Sequence, residues 1–201
     1  MSLSLENRSV LITGGARGIG LSTAKLFHAK GANVVICDID EEQGRKQASL
    51  LGDRAHFRKL DVSSRESFLK TAQSVTDELG KIDVLINNAG IMNVGHFLSL
   101  GEEKERLQIE VNVMGVLNGI HAVLPGMLQR KEGQIVNVAS LAGRIPAPYA
   151  AVYTGTKFAI AGMTEALRQE FGDDVHFCIV YPSMVKTDLV SGISPPKFPS
   201  P

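Results

Sequence analysis

The sequence has only two cysteines, Cys37 and Cys178, which excludes a disulfide framework: at most one bridge can form, and the pair lacks metal-site spacing. Each lies in an apolar run (34–37 and 177–180), the setting of a buried strand thiol, and such thiols suit a reducing compartment. Lysine plus arginine equals aspartate plus glutamate, 21 each, so there is no cationic excess to point to nucleic acid or an anionic membrane. No apolar run approaches the ~20 residues of a membrane span, and the start lacks a basic stretch followed by an apolar one. These absences predict a cytoplasmic protein with neither nucleic-acid nor membrane partners. Also missing are the H-E-x-x-H helix of a zinc enzyme and the G-x-S-x-G elbow of an α/β-hydrolase. The five histidines are scattered, so no metal is expected, and His121 reads as a core or interface residue in an apolar helical pattern.

What is present is an alternation. The 201 residues suffice for one domain with a sizeable core. Short Val- and Ile-rich runs at 9–13, 33–37, 84–87, 135–138 and 176–181, with a weaker one at 56–60, read as strands. They show little in–out alternation, as parallel strands covered on both faces do. Helical patterns fall between them at 19–30, 41–51, 64–79, 103–130 and 150–171, two of them followed by a glycine stop, Gly31 and Gly80. The order predicts an α/β fold: a Rossmann-type doubly wound parallel sheet in three layers. Four of the eight prolines fall within 195–201, so the domain is assigned to 1–194 and the remainder to a Pro-rich tail.

After the first strand comes Thr13-Gly14-Gly15-Ala16-Arg17-Gly18-Ile19-Gly20, a glycine-rich turn opening a helix. Gly14 can make the tight turn, Gly18 lets backbone approach a pyrophosphate, and Gly20 lets the helix pack close to the sheet. The helix start then offers free N–H groups to the anion. Asp38, followed by Ile39, ends the second strand near the ~20-residue offset of a ribose-binding carboxylate. A carboxylate there accepts from a 2′-hydroxyl and repels a 2′-phosphate, favouring NAD; Arg17 argues the other way and keeps NADP open.

Tyr153 and Lys157 are four apart on one helix face. A tyrosine with a pKa of ~10 is a poor base at neutral pH, and a nearby ammonium lowers that value. Ser140 follows the 135–138 strand, at the carboxyl edge where such sheets place their sites. Asn112 sits inside a long helix, where asparagine is mildly unfavourable.

Taken in order, Thr13-Gly14-x-x-x-Gly18-x-Gly20, Asp61-Val62, Asn87-Asn88-Ala89-Gly90, Asn112, Ser140 and Tyr153-x-x-x-Lys157 resemble the short-chain dehydrogenase/reductase family from about Val10 to Leu189. The resemblance implies hydride transfer between a nicotinamide cofactor and a secondary alcohol or ketone. Tyr153 would be the acid/base, and Ser140 would orient the reacting oxygen. Lys157 would lower the tyrosine's pKa and hold the nicotinamide ribose. Asn112 would break the helix and hold a water in a proton relay. Asp61 and Val62 would hold the adenine, Asn88, Ala89 and Gly90 would pass beside the adenosine ribose, and Thr187 would contact the carboxamide. The sequence has Pro182-Ser183 where the family has Pro-Gly, so a side chain would crowd the nicotinamide or narrow the substrate site. The family's last helix and strand do not follow here, which implies either a truncated form or a member without them.

The residues 141, 142, 145, 146, 148 and 149 are largely apolar and make a lipophilic substrate such as a steroid or retinoid plausible. The alternative is a catalytically incompetent or truncated NAD-binding protein. The apolar helices 103–130 and 150–171 need a second burial surface, and the resemblance implies a homodimer or homotetramer through them.

Overall fold

The computed structural model describes residues 4–183. Its centre is a parallel sheet of strands β1 (Ser9–Thr13), β2 (Asn33–Asp38), β3 (Ala55–Lys59), β4 (Val84–Asn87), β5 (Gln134–Val138) and β6 (His176–Val180). Their spatial order is β3-β2-β1-β4-β5-β6. This is the doubly wound arrangement expected from the alternation. The chain reverses direction across the sheet between β1 and β4, so the loops after those strands splay apart and leave a crevice.

Helices α1 (Gly18–Ala29) and α2 (Glu41–Leu51) cover one face, and α3 (Arg65–Leu79), α6 (Gly115–Arg130) and α7 (Ala151–Phe171) the other. Alternate strand residues feed two cores. Val10, Ile12, Val34 and Ile36 meet Ala24, Ala48 and Phe57 on the first face. Leu11, Val35, Leu85 and Ile135 meet Phe68, Ile120 and Ile160 on the second. The weak 56–60 run forms β3 one residue early; its burial is partial because it is an edge strand. Ser64 caps α3 by accepting from the Ser67 N–H at 3.2 Å, and Asp40 caps α2 from Gln43 at 3.0 Å.

The 103–130 pattern is one continuous helical run, but it is not uniform. It passes from α5 (Glu102–Ile109) through a π-helical segment (Glu110–Met114) into α6. The run Glu102–Arg130 includes an 18-residue window apolar enough to cross a membrane, contrary to the expectation that no segment came near that length. Half of that window is buried, and the helix packs on α3 and α7, so it is a core helix of this fold. Two short elements had no periodic signal: α4 (Phe97–Leu100) and a 3₁₀ turn (Leu141–Gly143). Cys37 is fully buried, and burial pushes its thiol pKa up; Cys178 is half-buried, and both are free.

Candidate active site

The glycine loop crosses the carboxyl edge of β1. Gly14 and Gly18 have φ of +62° and +53°, a left-handed backbone that side chains rarely adopt. Gly20 is fixed by space: a Cβ there would stand 2.2 Å from the Gly14 carbonyl oxygen and 2.6 Å from Asn88 Nδ2. No side chain caps α1, so the first N–H groups of the helix stay available to an anion, and Ile19 lies in that first turn. This cradle fits a dinucleotide pyrophosphate.

Asn88 and Thr13 bind the two sides of the crevice together. The Thr13 hydroxyl accepts from the Asn88 and Ala89 N–H groups, each at 3.0 Å. Asn88 Nδ2 donates to the carbonyls of Thr13 and Gly14 at 2.9 and 3.1 Å. Thr13 was read from sequence only as part of a motif; its hydroxyl proves to be the pin that sets the loop after β4. Gly90 then runs against the catalytic candidates, since a Cβ on it would lie 3.2 Å from Asn112 Oδ1 and 3.6 Å from Lys157 Nζ.

Asp38 stands at the end of β2 with both oxygens engaged, accepting from Ala16 N–H at 3.0 Å and Asp40 N–H at 3.1 Å. Its carboxylate therefore braces the glycine loop at the carboxyl end of β2. Arg17 forms an ion pair with Asp40. Ile39 beside Asp38 is two-thirds exposed, at 66%, an apolar side chain left at the rim. Asp61 is exposed and accepts from the Ser63 N–H and hydroxyl at 3.0 and 2.6 Å. Val62 is buried in the core against Gly115, so its side chain is not at the surface where an adenine would lie.

Ser140, Tyr153 and Lys157 come together beyond β5. Tyr153 and Lys157 are 6% and 4% exposed, deeply set for a phenol and an ammonium. Lys157 Nζ donates to the Val138 carbonyl at 2.9 Å and lies 5.7 Å from the centre of the Tyr153 ring. Burial pushes the lysine pKa down to about 8. Burial also raises the Tyr153 pKa, and a hydrogen bond with Ser140 draws it back. Ser140 thus offsets part of the effect of burial on the tyrosine. The Ser140 oxygen also accepts from Ala142 N–H at 3.1 Å, which fixes it at the head of the 3₁₀ turn.

Asn112 is fully buried in the π-helical segment, so the expected local break of the helix is there. Its Oδ1 accepts from Ile91 N–H at 2.8 Å, and its Nδ2 donates to Ile91 carbonyl at 2.9 Å and Thr156 Oγ1 at 3.1 Å. The amide therefore clamps the loop after β4 to α7. Thr156, which sequence reasoning missed, joins that clamp to the Tyr153 carbonyl at 2.7 Å. Its only signal was a hydroxyl residue adjacent to Lys157. The Pro182 carbonyl accepts from Leu141 N–H at 2.9 Å, which ties the segment after β6 to the Ser140 turn. Thr187 and residues 195–201 lie outside the described residues.

A cavity of about 400 Å³ opens beside the start of α7, lined by His96, Phe97, Leu100, Pro148, Tyr149 and Val152 among others. Of the residues named from sequence as a substrate wall, Pro148 and Tyr149 line it. Tyr149 has a φ of +64°, and its ring meets His96 edge to face at 5.0 Å.

Comparison with known proteins agrees with this geometry. The sequence profile of the short chain dehydrogenases matches residues 8–197. The chain is 37% identical to an uncharacterised oxidoreductase of Staphylococcus saprophyticus, covering 95% of this chain and 79% of that one. It is 35% identical to a 3-oxoacyl-[acyl-carrier-protein] reductase of Chlamydia muridarum, with 96% and 80% covered. It is 34% identical to a 3-alpha-(or 20-beta)-hydroxysteroid dehydrogenase of Mycobacterium bovis, with 96% and 75% covered. Among solved structures, a 3-ketoacyl-(acyl-carrier-protein) reductase from Brucella melitensis complexed with NADH superposes with a TM-score of 0.90 at 31% identity, covering 93% of this chain and 79% of that one. A short-chain dehydrogenase/reductase from Burkholderia phymatum in complex with NAD gives 0.90 at 28% identity, with 94% and 69% covered. With a Rossmann-type sheet, a glycine loop at its switch point and a matching profile over nearly its whole length, the chain belongs to the short-chain dehydrogenase family.

Proposed function

We propose that this protein is an oxidoreductase that interconverts a secondary alcohol and a ketone with NAD(H). The observation that carries this reading is the clustering beyond β5 of the buried Tyr153 and Lys157 with the half-buried Ser140, which hydrogen-bonds Tyr153. A bound nicotinamide supplies or accepts the hydride. Gly14, Arg17, Gly18, Ile19 and Gly20 would hold its pyrophosphate, Asp38 and Ile39 the adenosine ribose end, and Asp61 and the Val62 backbone the adenine. Asn88, Ala89 and Gly90 would line the middle, with Tyr153, Lys157, Pro182 and Thr187 at the nicotinamide end. Tyr153 exchanges a proton with the substrate oxygen, and Ser140 orients that oxygen. The buried Lys157 ammonium favours a developing phenolate, and Asn112 holds the clamp that positions both.

NAD is favoured over NADP because the Asp38 carboxylate stands at the end of β2 beside the glycine loop, where it would repel a 2′-phosphate, while Arg17 is paired with Asp40. The cavity beside α7 is mostly apolar in its lining, which supports a lipophilic alcohol such as a steroid or retinoid as substrate. The same lining also admits an acyl chain, and a substrate panel separates them. The clustered site and the relatives named as oxidoreductases weigh against an incompetent binding protein. Leu107, Ile109, Met114 and Phe158 remain partly exposed on adjoining helices, which supports assembly into a dimer or tetramer.

The test is a fluorescence titration with NADH and NADPH, followed by turnover assays on alcohols and ketones for the natural chain and Tyr153→Phe. Saturable NADH binding, turnover of an apolar alcohol and loss of turnover in Tyr153→Phe with cofactor binding retained are the expected results. Turnover that survives Tyr153→Phe refutes the assignment.

A further inference from the structure

In α5 a single residue is buried, and it is polar: Gln108, with no exposed surface. Its Oε1 accepts from the Asn93 N–H at 3.0 Å, while its Nε2 has no hydrogen-bond partner among the described residues. An enclosed amide with an unpaired donor is a poor filler of a core, and an apolar side chain of the same volume would cost less. What glutamine alone contributes here is the acceptor for Asn93. Asn112 follows four residues later, on the same side of the helical run, and it grips Ile91 through both N–H and carbonyl. The two amides thus hold alternate residues of one loop. That loop begins at Gly90, which lies close to both Asn112 and the Lys157 ammonium: a Cβ there would stand 3.2 Å from the first and 3.6 Å from the second. Without the Asn93 bond the loop would be held by the Ile91 clamp alone, next to the contact of Gly90 with Lys157.

We propose that Gln108 is a positioning residue of the active site, pinning the 90–93 loop so that Gly90 stays packed against Lys157. This rests on the oxidoreductase reading above for its effect on rate, but not for its effect on the loop. The experiment compares Gln108→Met, which keeps the volume and removes the acceptor, with Gln108→Glu, which restores an acceptor oxygen. Amide hydrogen exchange is measured on the folded protein without substrate, and kcat and KM are measured in the turnover assay. In Gln108→Met, exchange at residues 91–93 should rise about tenfold, the scale of one lost hydrogen bond, with the rest of the sheet unchanged. Its kcat should fall by about the same factor with KM for NADH within about twofold, since the pin acts on the reacting end and not on the pyrophosphate cradle. Gln108→Glu, whose carbonyl oxygen still accepts once its enclosed carboxyl is protonated, should bring exchange at residues 91–93 back toward the natural value. Natural exchange at residues 91–93 in Gln108→Met overturns the proposal. So does a rise spread evenly over the sheet with a lowered melting temperature, because Gln108 is then an ordinary core residue. If the natural protein turns over nothing, the functional reading fails while the exchange measurement still decides the role of Gln108 in the loop.

Discussion

Replacing Lys157 by methionine should make this protein more stable at neutral pH while removing its activity. The ammonium is 4% exposed, and burial brings its pKa to about 8 from an ordinary 10.5. That displacement corresponds to a penalty of about 3 kcal/mol for carrying the charge in the folded state. Against it stands the hydrogen bond to the Val138 carbonyl. Losing that bond and leaving its acceptor enclosed costs about 1–2 kcal/mol. The net gain for Lys157→Met at pH 7 is about 1–2 kcal/mol, or roughly 2–8 °C in melting temperature for a chain of this size.

The pH dependence gives this prediction a second, stricter arm. Between the native value of about 8 and the ordinary 10.5, the unfolded chain holds a proton on Lys157 that the folded chain has released. Stability of the natural protein therefore rises with pH across that window relative to the variant. The advantage of Lys157→Met should be full below pH 8 and should shrink toward pH 10. Calorimetric scans of both proteins from pH 6.5 to 10 measure the gap directly. A variant that melts lower at pH 7, or a gap that does not change over this range, refutes the argument that a buried cation is carried here at the expense of stability.

Other expectations follow from local geometry. Gly20→Ala drives a Cβ into the Gly14 carbonyl and Asn88, so it should lower stability by about 1–3 kcal/mol and weaken NADH binding more than tenfold in the fluorescence titration. Asp83 is buried, which alone would raise its pKa, yet hydrogen bonds from Ser9 N–H, Lys81 and Arg8 hold it below the ordinary 3.8. Asp83→Asn should therefore cost about 1–3 kcal/mol above pH 5, with the difference from the natural protein shrinking below about pH 4 as acid protonates the unfolded and then the folded carboxylate; urea titrations at pH 7 and pH 3 check that it narrows. Asp40→Ser keeps a cap for α2 but removes the carboxylate of the Arg17–Asp40 pair. It should shift the NADPH-to-NADH affinity ratio upward by roughly threefold to fivefold, the worth of an exposed ion pair, and an unchanged ratio would remove Arg17 from cofactor choice. Thr164→Val takes the acceptor from Asn137 Nδ2 in the buried series Asn87–Asn137–Thr164 that links β4, β5 and α7, and should lower stability by about 1–3 kcal/mol in thermal melts.

The sheet was legible because its physics is local. Runs such as 9–13 and 84–87 are too short for a helix and apolar on both faces, and only a covered parallel strand uses such runs. The glycine loop was legible for a similar reason, since Gly14, Gly18 and Gly20 each answer a backbone or spatial demand that no other residue meets. The helix at 103–130 was legible in extent but not in form. Its π-helical segment carries the Asn112 amide that reaches Ile91, a contact that no periodicity within the helix encodes. Likewise α4 has four residues, less than the span over which a pattern repeats. The residues that place the reacting groups were the hardest to see. Thr13, Gln108 and Thr156 look like ordinary polar residues in a strand end and two helices. Their role appears only when the fold buries them, because enclosure makes each unpaired polar atom costly and therefore makes each pairing specific. The chemistry-bearing residues announce themselves through scarce side-chain types at fixed spacing. The groups that hold them in place are distinguished by burial, which is a property of the folded chain and not of its local sequence.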